Sequence, residues 1–448
     1  MVKKLLIANR GEIVNRIIST CEKMGIQTVA VYSEADRDMP YLDRADQTVW
    51  IGPANPVQSY LNIEALMAAA AQTGADSVHP GYGFLSERGA FAEAVEKAGL
   101  TWVGPSSKVL RAISSKCYCR SLAQGVDVPV IPGTLRPVAK AEEIAAYGRE
   151  NGWPVFLKLD KGGGGKGIER VEGEAMAGEV FQRAGRIGEM AFGSGACYIE
   201  AVVDRPRHIE VQFLADRQGR CICLGERECS IQRRHQKIVE EAPSVVVTPA
   251  ERKRLYDHTR RIVQKMGYVG AGTIENLRDR KGHYYFMEIN ARLQVEHPVT
   301  EFLTGMDIVQ WQLRIADGQP LDVRQDDVRL NGHAIEARIY AEDPVTFMPS
   351  PGQITALVLP EAQADVRIDH ALKDGGRVPP YYDPLLAKVI AWGQNRDQAV
   401  SRLRQALEQM RIEGVRNTTS TGLRILAQPR FIQGDIDTAF FDGWITTA

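Results

Sequence analysis

Hydrophobic and polar residues along this chain follow two alternating periods. Leu5, Leu6, Ile7 and Ala8 form a short apolar run, which predicts a buried strand over 4–8. Apolar residues then recur at Ile13, Val14, Ile17, Ile18, Cys21 and Met24, the spacing of an amphipathic helix, and Gly25 supplies its stop. Thr28 to Tyr32 reads as the next strand, completing a βαβ unit. Strand–helix alternation continues to about Val103-Gly104-Pro105, so a doubly wound α/β domain is expected over 1–113. The first turn, Asn9-Arg10-Gly11-Glu12, is not Gly-x-Gly-x-x-Gly, and a dinucleotide site is not expected there.

Beyond residue 113 the pattern changes. Residues 114–132 carry a helix and lead into the turn Val128-Pro129-Val130-Ile131-Pro132-Gly133. Strand Val155 to Leu159 precedes a glycine run. Over 208–226, Ile209, Val211 and Phe213 alternate with polar residues and Arg217-Gln218-Gly219-Arg220 makes the turn of a hairpin. Thr248, Pro249 and Glu251 form a capping box for a helix striped by Leu255, Ile262, Val263 and Met266 and ended by Gly267. A second hairpin spans 270–290. From Asn331 onward come strands, a loop at Pro379-Pro380-Tyr381-Tyr382, and a helix around Ala399 to Met410.

With 448 residues, 44% hydrophobic and 25% charged, the chain can build an ordinary core. Lys and Arg number 55 against 56 Asp and Glu, a balance that argues against a general nucleic-acid binder. The N-terminal apolar run stops at Asn9, too short for a signal peptide, and no stretch approaches the ~18 apolar residues of a membrane span. A cytoplasmic protein with neither nucleic acid nor membrane as partner is expected. The seven cysteines include two Cys-x-Cys pairs and no Cys-x-x-Cys; reduced thiols are expected, with metal ligation the alternative.

Four segments carry candidate chemistry. Lys161-Gly162-Gly163-Gly164-Gly165-Lys166-Gly167 can bring backbone N–H groups against phosphate oxygens; the alternative is a flexible linker. In the 270–290 hairpin, a loop Arg280 to His283 would join Asp279 to Tyr284 and set Glu275 opposite Glu288, with Asn290 on the same face. Like charges so placed repel, and a divalent cation would relieve them; two carboxylates and an amide oxygen suit Mg²⁺. The alternative is two solvated glutamates in another register. In Arg292-Leu293-Gln294-Val295-Glu296, extended geometry would project Arg292, Gln294 and Glu296 to one side, an oxyanion partner and a general base, or else an exposed charged loop. Glu226 to Lys237 concentrates cations. Glu240, Glu241 and the charge balance favour a small anionic ligand there over nucleic acid.

The order of these segments resembles biotin carboxylase. The resemblance rests on Ile7-Ala8-Asn9-Arg10-Gly11-Glu12-Ile13, His79-Pro80-Gly81-Tyr82-Gly83-Phe84-Leu85-Ser86-Glu87, and Gln232-Arg233-Arg234-His235-Gln236-Lys237. It continues through the run from Glu288 to Glu301, Pro349-Ser350-Pro351-Gly352 and Val378-Pro379-Pro380-Tyr381-Tyr382-Asp383, and so covers essentially the whole chain. It implies an α/β and α+β protein in three parts: an N-terminal doubly wound parallel sheet (1–113), a central ATP-grasp domain (114–330) with a glycine-rich lid at about 134–203, and a mixed α+β C-terminal domain (331–448).

By the same resemblance, ATP would meet Lys116, Lys158 and the lid residues Gly163, Gly164, Gly165, Lys166 and Gly167. Glu200 and the chain after it would form the adenine hinge, His208 and Gln232 would lie near the ribose, and His235 and Leu277 nearby. Glu275 and Glu288 would bind Mg²⁺ or Mn²⁺, with Asn290 assisting a second ion. Lys237, Arg292, Gln294, Val295 and Glu296 would surround bicarbonate. Arg338 would face the ureido oxygen of biotin, with Tyr82 close by. In the implied reaction Glu296 deprotonates bicarbonate, which attacks the γ-phosphoryl of ATP to give carboxyphosphate. Its breakdown delivers CO₂ to biotin, whose ureido nitrogen is deprotonated by phosphate.

Met-Lys-Met does not occur in the sequence, so biotin is expected on a separate biotin carboxyl carrier protein, with carboxyltransferase subunits and a homodimer as further expected partners. Acetyl-CoA is the default final acceptor; propionyl-CoA or pyruvate are the alternatives. Rival readings are another ATP-grasp carboxylate–amine ligase and a silent nucleotide-binding subunit. Three features depart from the family pattern. Leu159-Asp160-Lys161 stands where small residues are expected, Ile168-Glu169 where Met and a basic residue are, and the Glu275-to-Glu288 spacing is one residue longer than the family's, which a bulge or a longer loop would accommodate. Asp160 and Glu169 are expected to put negative charge near the polyphosphate, so that Glu169→Arg would tighten ATP binding.

Overall fold

The computed structural model describes residues 2–162, 167–361, 363–442 and 444. Gly163, Gly164, Gly165 and Lys166 of the expected lid lie outside the described residues.

The N-terminal part is a parallel sheet of β1 (Lys4–Ile7), β2 (Gln27–Tyr32), β3 (Gln47–Trp50), β4 (Ser77–His79) and β5 (Thr101–Trp102), in the order β3-β2-β1-β4-β5. Leu6 packs with Val29, Val31 and Val78, whereas Leu5 and Ile7 pack with Ile13, Val14 and Ile17 of the helix Glu12–Met24. β1 is thus buried on both faces, which is why its sequence is a continuous apolar run. Gly25 ends the helix at φ 67°, where its N–H meets the carbonyls of Cys21 and Glu22.

A small antiparallel sheet follows, β7 (Ile168–Val171), β6 (Val155–Leu159) and β8 (Cys197–Ala201), backed by the helix Ala177–Phe192. Leu159, where a small residue was expected, belongs to this core and is 1% exposed. Its room comes from glycines. A Cβ on Gly167 would lie 2.2 Å from Leu159 Cδ1, and one on Gly188 2.5 Å from Cδ2.

The largest sheet has eight strands: β9 (Arg207–Ala215), β10 (Cys221–Arg233), β11 (Gln236–Ala242), β12 (Gly270–Arg278), β13 (Tyr284–Asn290), β14 (His333–Tyr340), β17 (Val366–His370) and β19 (Leu385–Gly393). Their order is β13-β12-β9-β10-β11-β14-β19-β17, so the sheet runs unbroken across residue 330 through the β11–β14 pairing. Two short pairs complete the C-terminal part: β15 (Gly352–Gln353) with β18 (Arg377–Val378), and β16 (Ala356–Val358) with β20 (Arg411–Glu413).

The predicted hairpins form. β9 and β10 turn at Gly219 (φ 83°), and the helix Pro249–Met266 starts with the capping box of Thr248 and Glu251. The helix expected around Ala399 begins earlier, at Arg396, because Asn395 caps it by accepting from Gln398 N. The loop of the β12–β13 hairpin is longer than expected: Arg278 pairs with Tyr284, leaving Asp279 to His283 between the strands. Among the described residues, no helix is long and apolar enough to cross a membrane.

Candidate active site

One row of side chains crosses four strands. Arg227 on β10 is the register partner of Glu210 on β9, Glu210 of Glu275 on β12, and Glu275 of Glu288 on β13. Register partners share a face, so the row places carboxylates beside one another. Interleaved cations make it tolerable. Arg227 Nε donates to Glu210 Oε1 at 2.5 Å, and His208 Nε2 lies 3.0 Å from Glu275 Oε2. Lys116, at the start of the helix Lys116–Gln124, reaches Glu288. Lys237, at the start of β11, donates to Glu210 at 2.7 Å, Glu275 at 3.0 Å and Glu296 at 2.6 Å.

Glu296 is completely buried between two cations: Oε1 accepts from Lys237 Nζ and Oε2 from Arg338 Nη2 at 2.8 Å. Burial alone would raise its pKa, but Lys237, Arg338 and Arg227 hold it well below the carboxylate range. Glu275 behaves likewise: burial opposes its charge, and Lys237 and His208 more than compensate. Burial also disfavours the charge of Lys237, yet Cys229, Glu210, Glu275 and Glu296 around it push its pKa well above the usual lysine value.

The segment after β13 does not remain extended. Glu296 adopts φ −82°, ψ 13° ahead of the helix His297–Thr304, so Arg292, Gln294 and Glu296 are not aligned by strand alternation as expected. Hydrogen bonds do the positioning instead. Arg292 Nη1 donates to Gln294 Oε1 at 3.1 Å and Nη2 to Asn290 Oδ1 at 3.2 Å, while its Nε lies 3.2 Å from Glu87 Oε2. Gln294 Nε2 donates to Thr273 Oγ1 at 3.1 Å. The Val295 carbonyl accepts from Lys388 Nζ at 2.9 Å. Tyr82 donates to Glu12, which lies 3.1 Å from the same Lys388.

Lys158 on β6 pairs with Glu200 at the end of β8, and Arg120 Nη1 donates to the same carboxylate at 2.5 Å. Leu277 is half-buried on β12 opposite His208. Gln232 and Lys237 are register partners at the end of the β10–β11 hairpin, whose tip holds Arg234 and His235 at φ 50° and 66°. Strand alternation therefore breaks up the basic run: Arg227 is fully buried, Arg233 donates to Glu342 at 2.8 Å, and Arg234 and His235 are exposed. A cavity of about 510 Å³, lined by Glu87, Lys116, Lys161, Glu288, Asn290 and Arg292, opens beside the row. Glu275, Glu288 and Asn290 offer hard oxygen donors from adjacent strands, the donor type Mg²⁺ or Mn²⁺ takes.

Two lid expectations are corrected. Asp160 is 7% exposed, and its carboxylate accepts from Cys117 N at 2.8 Å and Ser115 Oγ at 2.9 Å, capping the helix that carries Lys116. Glu169 accepts from Arg183 Nη2 at 2.9 Å, so its charge is matched within the lid. All seven cysteines are free and buried.

Sequence reasoning missed Glu210, Arg227, Glu87, Glu12 and Lys388. For Glu210 the signal was present. His208, Glu210 and Gln212 are the polar half of the β9 alternation, and all three are at most 5% exposed.

Residues 1–110 match the family Biotin carboxylase, N-terminal domain; 115–324 match Carbamoyl-phosphate synthase L chain, ATP binding domain; and 336–443 match Biotin carboxylase C-terminal domain. Biotin carboxylase 2 of Bacillus subtilis (strain 168) is 46% identical over 440 residues, 98% of this chain and 99% of that one. The biotin carboxylase–β,γ-ATP complex from Campylobacter jejuni superposes with a TM-score of 0.96 at 41% identity, covering 98% of each chain. The biotin carboxylase domain dimer of Hydrogenobacter thermophilus 2-oxoglutarate carboxylase, with MgADP, ADP and bicarbonate, gives 0.96 at 42% identity, covering 99% of this chain and 98% of that one. Sequence and fold agree along 98% of the chain, and it belongs to the biotin carboxylases, ligases of ATP-grasp type.

Proposed function

We propose that this enzyme carboxylates biotin held on a separate biotin carboxyl carrier protein, using ATP and bicarbonate with Mg²⁺ or Mn²⁺. The observation that carries this reading is Glu296, a buried carboxylate kept ionised between Lys237 and Arg338. Bicarbonate competing for Lys237 weakens that hold, and Glu296 becomes a stronger base when its substrate arrives. Arg292, braced by Glu87, Asn290 and Gln294, offers a planar fork to the same anion. Arg338, released from Glu296 once Glu296 is protonated, is placed to hold negative charge on the ureido oxygen of biotin, with Tyr82 near it.

Lys116, Lys158, Gly167 and the glycine run ahead of it are assigned to the nucleotide phosphates. Glu200, His208, Gln232, His235 and Leu277 are assigned to its adenine and ribose end. The divalent ion would be held by Glu275 and Glu288 with Asn290, and supplies neutralisation of polyphosphate charge. The division at 113/114 and 330/331, supported by the domain matches, and a homodimeric state, supported by the dimeric relative, belong to the same proposal, as does a carboxyltransferase partner. Acetyl-CoA is the acceptor proposed for the complete carboxylase.

The test supplies labelled bicarbonate, MgATP and a biotinylated carrier domain. Label on the carrier, dependent on ATP, supports the reading; ATP cleavage with no label transferred overturns it. Adding candidate carboxyltransferases with acetyl-CoA, propionyl-CoA or pyruvate then identifies the acceptor by which compound takes up the label.

A further inference from the structure

Arg338 has a second carboxylate within reach. Its Nη2 lies 2.5 Å from Glu240 Oε1. Glu240 on β11 is the register partner of Glu336 on β14, two residues before Arg338, so all three project from one face of the sheet. Glu240 and Glu336 are both completely buried. Apart from the contact with Arg338, none of their four carboxyl oxygens accepts a hydrogen bond among the described residues.

The charged groups facing the pair are few. Arg338 stands on β14, Lys388 on β19, Lys237 on β11 and Glu296 ahead of the helix His297–Thr304. The Lys388 ammonium is taken by Glu12 Oε1 at 3.1 Å, Asp369 Oδ2 at 3.4 Å and the Val295 carbonyl. Lys237 is taken by Glu210, Glu275 and Glu296. Among the described residues Arg338 is the one cation within ion-pair distance of Glu240, and Glu336 has none. A single guanidinium, itself shared with Glu296, cannot neutralise two further carboxylates in a dry sheet.

We infer that Glu240 and Glu336 share one proton, with Glu336 a neutral acid donating its O–H to the Glu240 carboxylate, and that this pair positions Arg338. Burial, with the neighbouring carboxylates, pushes the Glu336 carboxyl well above its usual range and Glu240 up to about 7. The O–H of Glu336 gives Glu240 a donor besides Arg338. Glu240 in turn keeps a fixed anchor on Arg338. When Glu296 takes up a proton and loosens its own hold, Arg338 stays in place. That last consequence rests on the function proposed above; the shared proton does not.

The test has a spectroscopic and a kinetic arm. Infrared difference spectra of wild type minus Glu336→Gln at neutral pH should contain a protonated-carboxyl C=O band; a difference without that band overturns the shared proton, whether or not the protein carboxylates biotin. In the kinetic arm, Glu336→Ala should lower biotin-stimulated ATP cleavage at least tenfold in kcat, with the KM for ATP within about twofold. Glu336→Gln, a neutral residue of the same shape with an N–H to donate, should restore most of it. Equal losses in Glu336→Ala and Glu336→Gln, with ATP binding retained in both by calorimetry, overturn the positioning role.

Discussion

Glu288 stands directly across from Glu275 because Met287 is an extra residue in β13. The hairpin closes with Arg278 opposite Tyr284 and Asn276 opposite Phe286, a register that would leave Glu275 facing Met287. The bulge advances β13 by one position and turns Glu288 to the face of Glu210, Glu275 and Lys237. Glu288→Gln should therefore lower bicarbonate-dependent ATP cleavage by orders of magnitude, since a proposed metal ligand becomes neutral. Turnover near wild type in this variant at saturating Mg²⁺ contradicts the metal assignment.

Lys237 is the cation common to Glu210, Glu275 and Glu296. Removing it leaves buried carboxylates uncompensated, a loss on the order of 3–5 kcal/mol for a broken buried pair. In the wild type, Glu275 and Glu296 have depressed pKa values, so the stability they confer is present above the unfolded carboxylate pKa and lost as pH falls through the folded values. In Lys237→Met the balance shifts toward protonation, and acid relieves the strain. Thermal melts should show the gap between variant and wild type narrowing from pH 7 toward pH 4.5. A gap that stays constant would mean the carboxylates do not depend on Lys237.

Asp160 joins the end of β6 to the helix of Lys116. Its carboxylate caps that helix, and its carbonyl accepts from Lys116 N at 3.0 Å. Asp160→Ala should cost about 0.5–2 kcal/mol, the usual range for a lost helix cap, and raise the KM for ATP through displacement of Lys116. Asp160→Asn keeps an acceptor oxygen and should recover both. Loss of stability with an unchanged KM would show that the cap and the nucleotide site are independent.

Glu169→Arg is not expected to tighten ATP binding. The wild-type carboxylate already pairs with Arg183, and the variant sets two guanidiniums together in the lid. A nucleotide titration at low and high salt should show equal or weaker binding in the variant. Tighter binding at low salt that disappears at high salt would show that Glu169 faces the phosphates.

Much of the fold was legible because burial and periodicity coincide. The two-faced burial of β1, the Gly25 stop and the Thr248–Glu251 box all follow from local residues. The opposition of Glu275 and Glu288 was legible too: the loop is one residue longer than the four-residue loop expected, the Met287 bulge cancels the offset, and the one-residue excess in the Glu275-to-Glu288 spacing was the sign of both. Long-range pairing was not legible. Nothing local marks Glu275 and Glu296 as partners of Lys237, because they reach it from segments 38 and 59 residues further along the chain. Asp160 and Glu169 misled for a related reason. Charge near a glycine run suggests a phosphate, whereas a helix terminus and Arg183 take those charges instead.

If Glu296 is the base for bicarbonate in the cleavage of ATP, its removal must stop cleavage without disturbing ATP binding. ATP cleavage by wild type and Glu296→Ala, measured with and without bicarbonate alongside calorimetric ATP affinity, tests it most directly. Wild type should cleave ATP only when bicarbonate is present, and faster with free biotin, whereas Glu296→Ala should bind ATP normally and not cleave it. Bicarbonate-dependent cleavage that persists in Glu296→Ala, or ATP affinity lost together with activity, would contradict it.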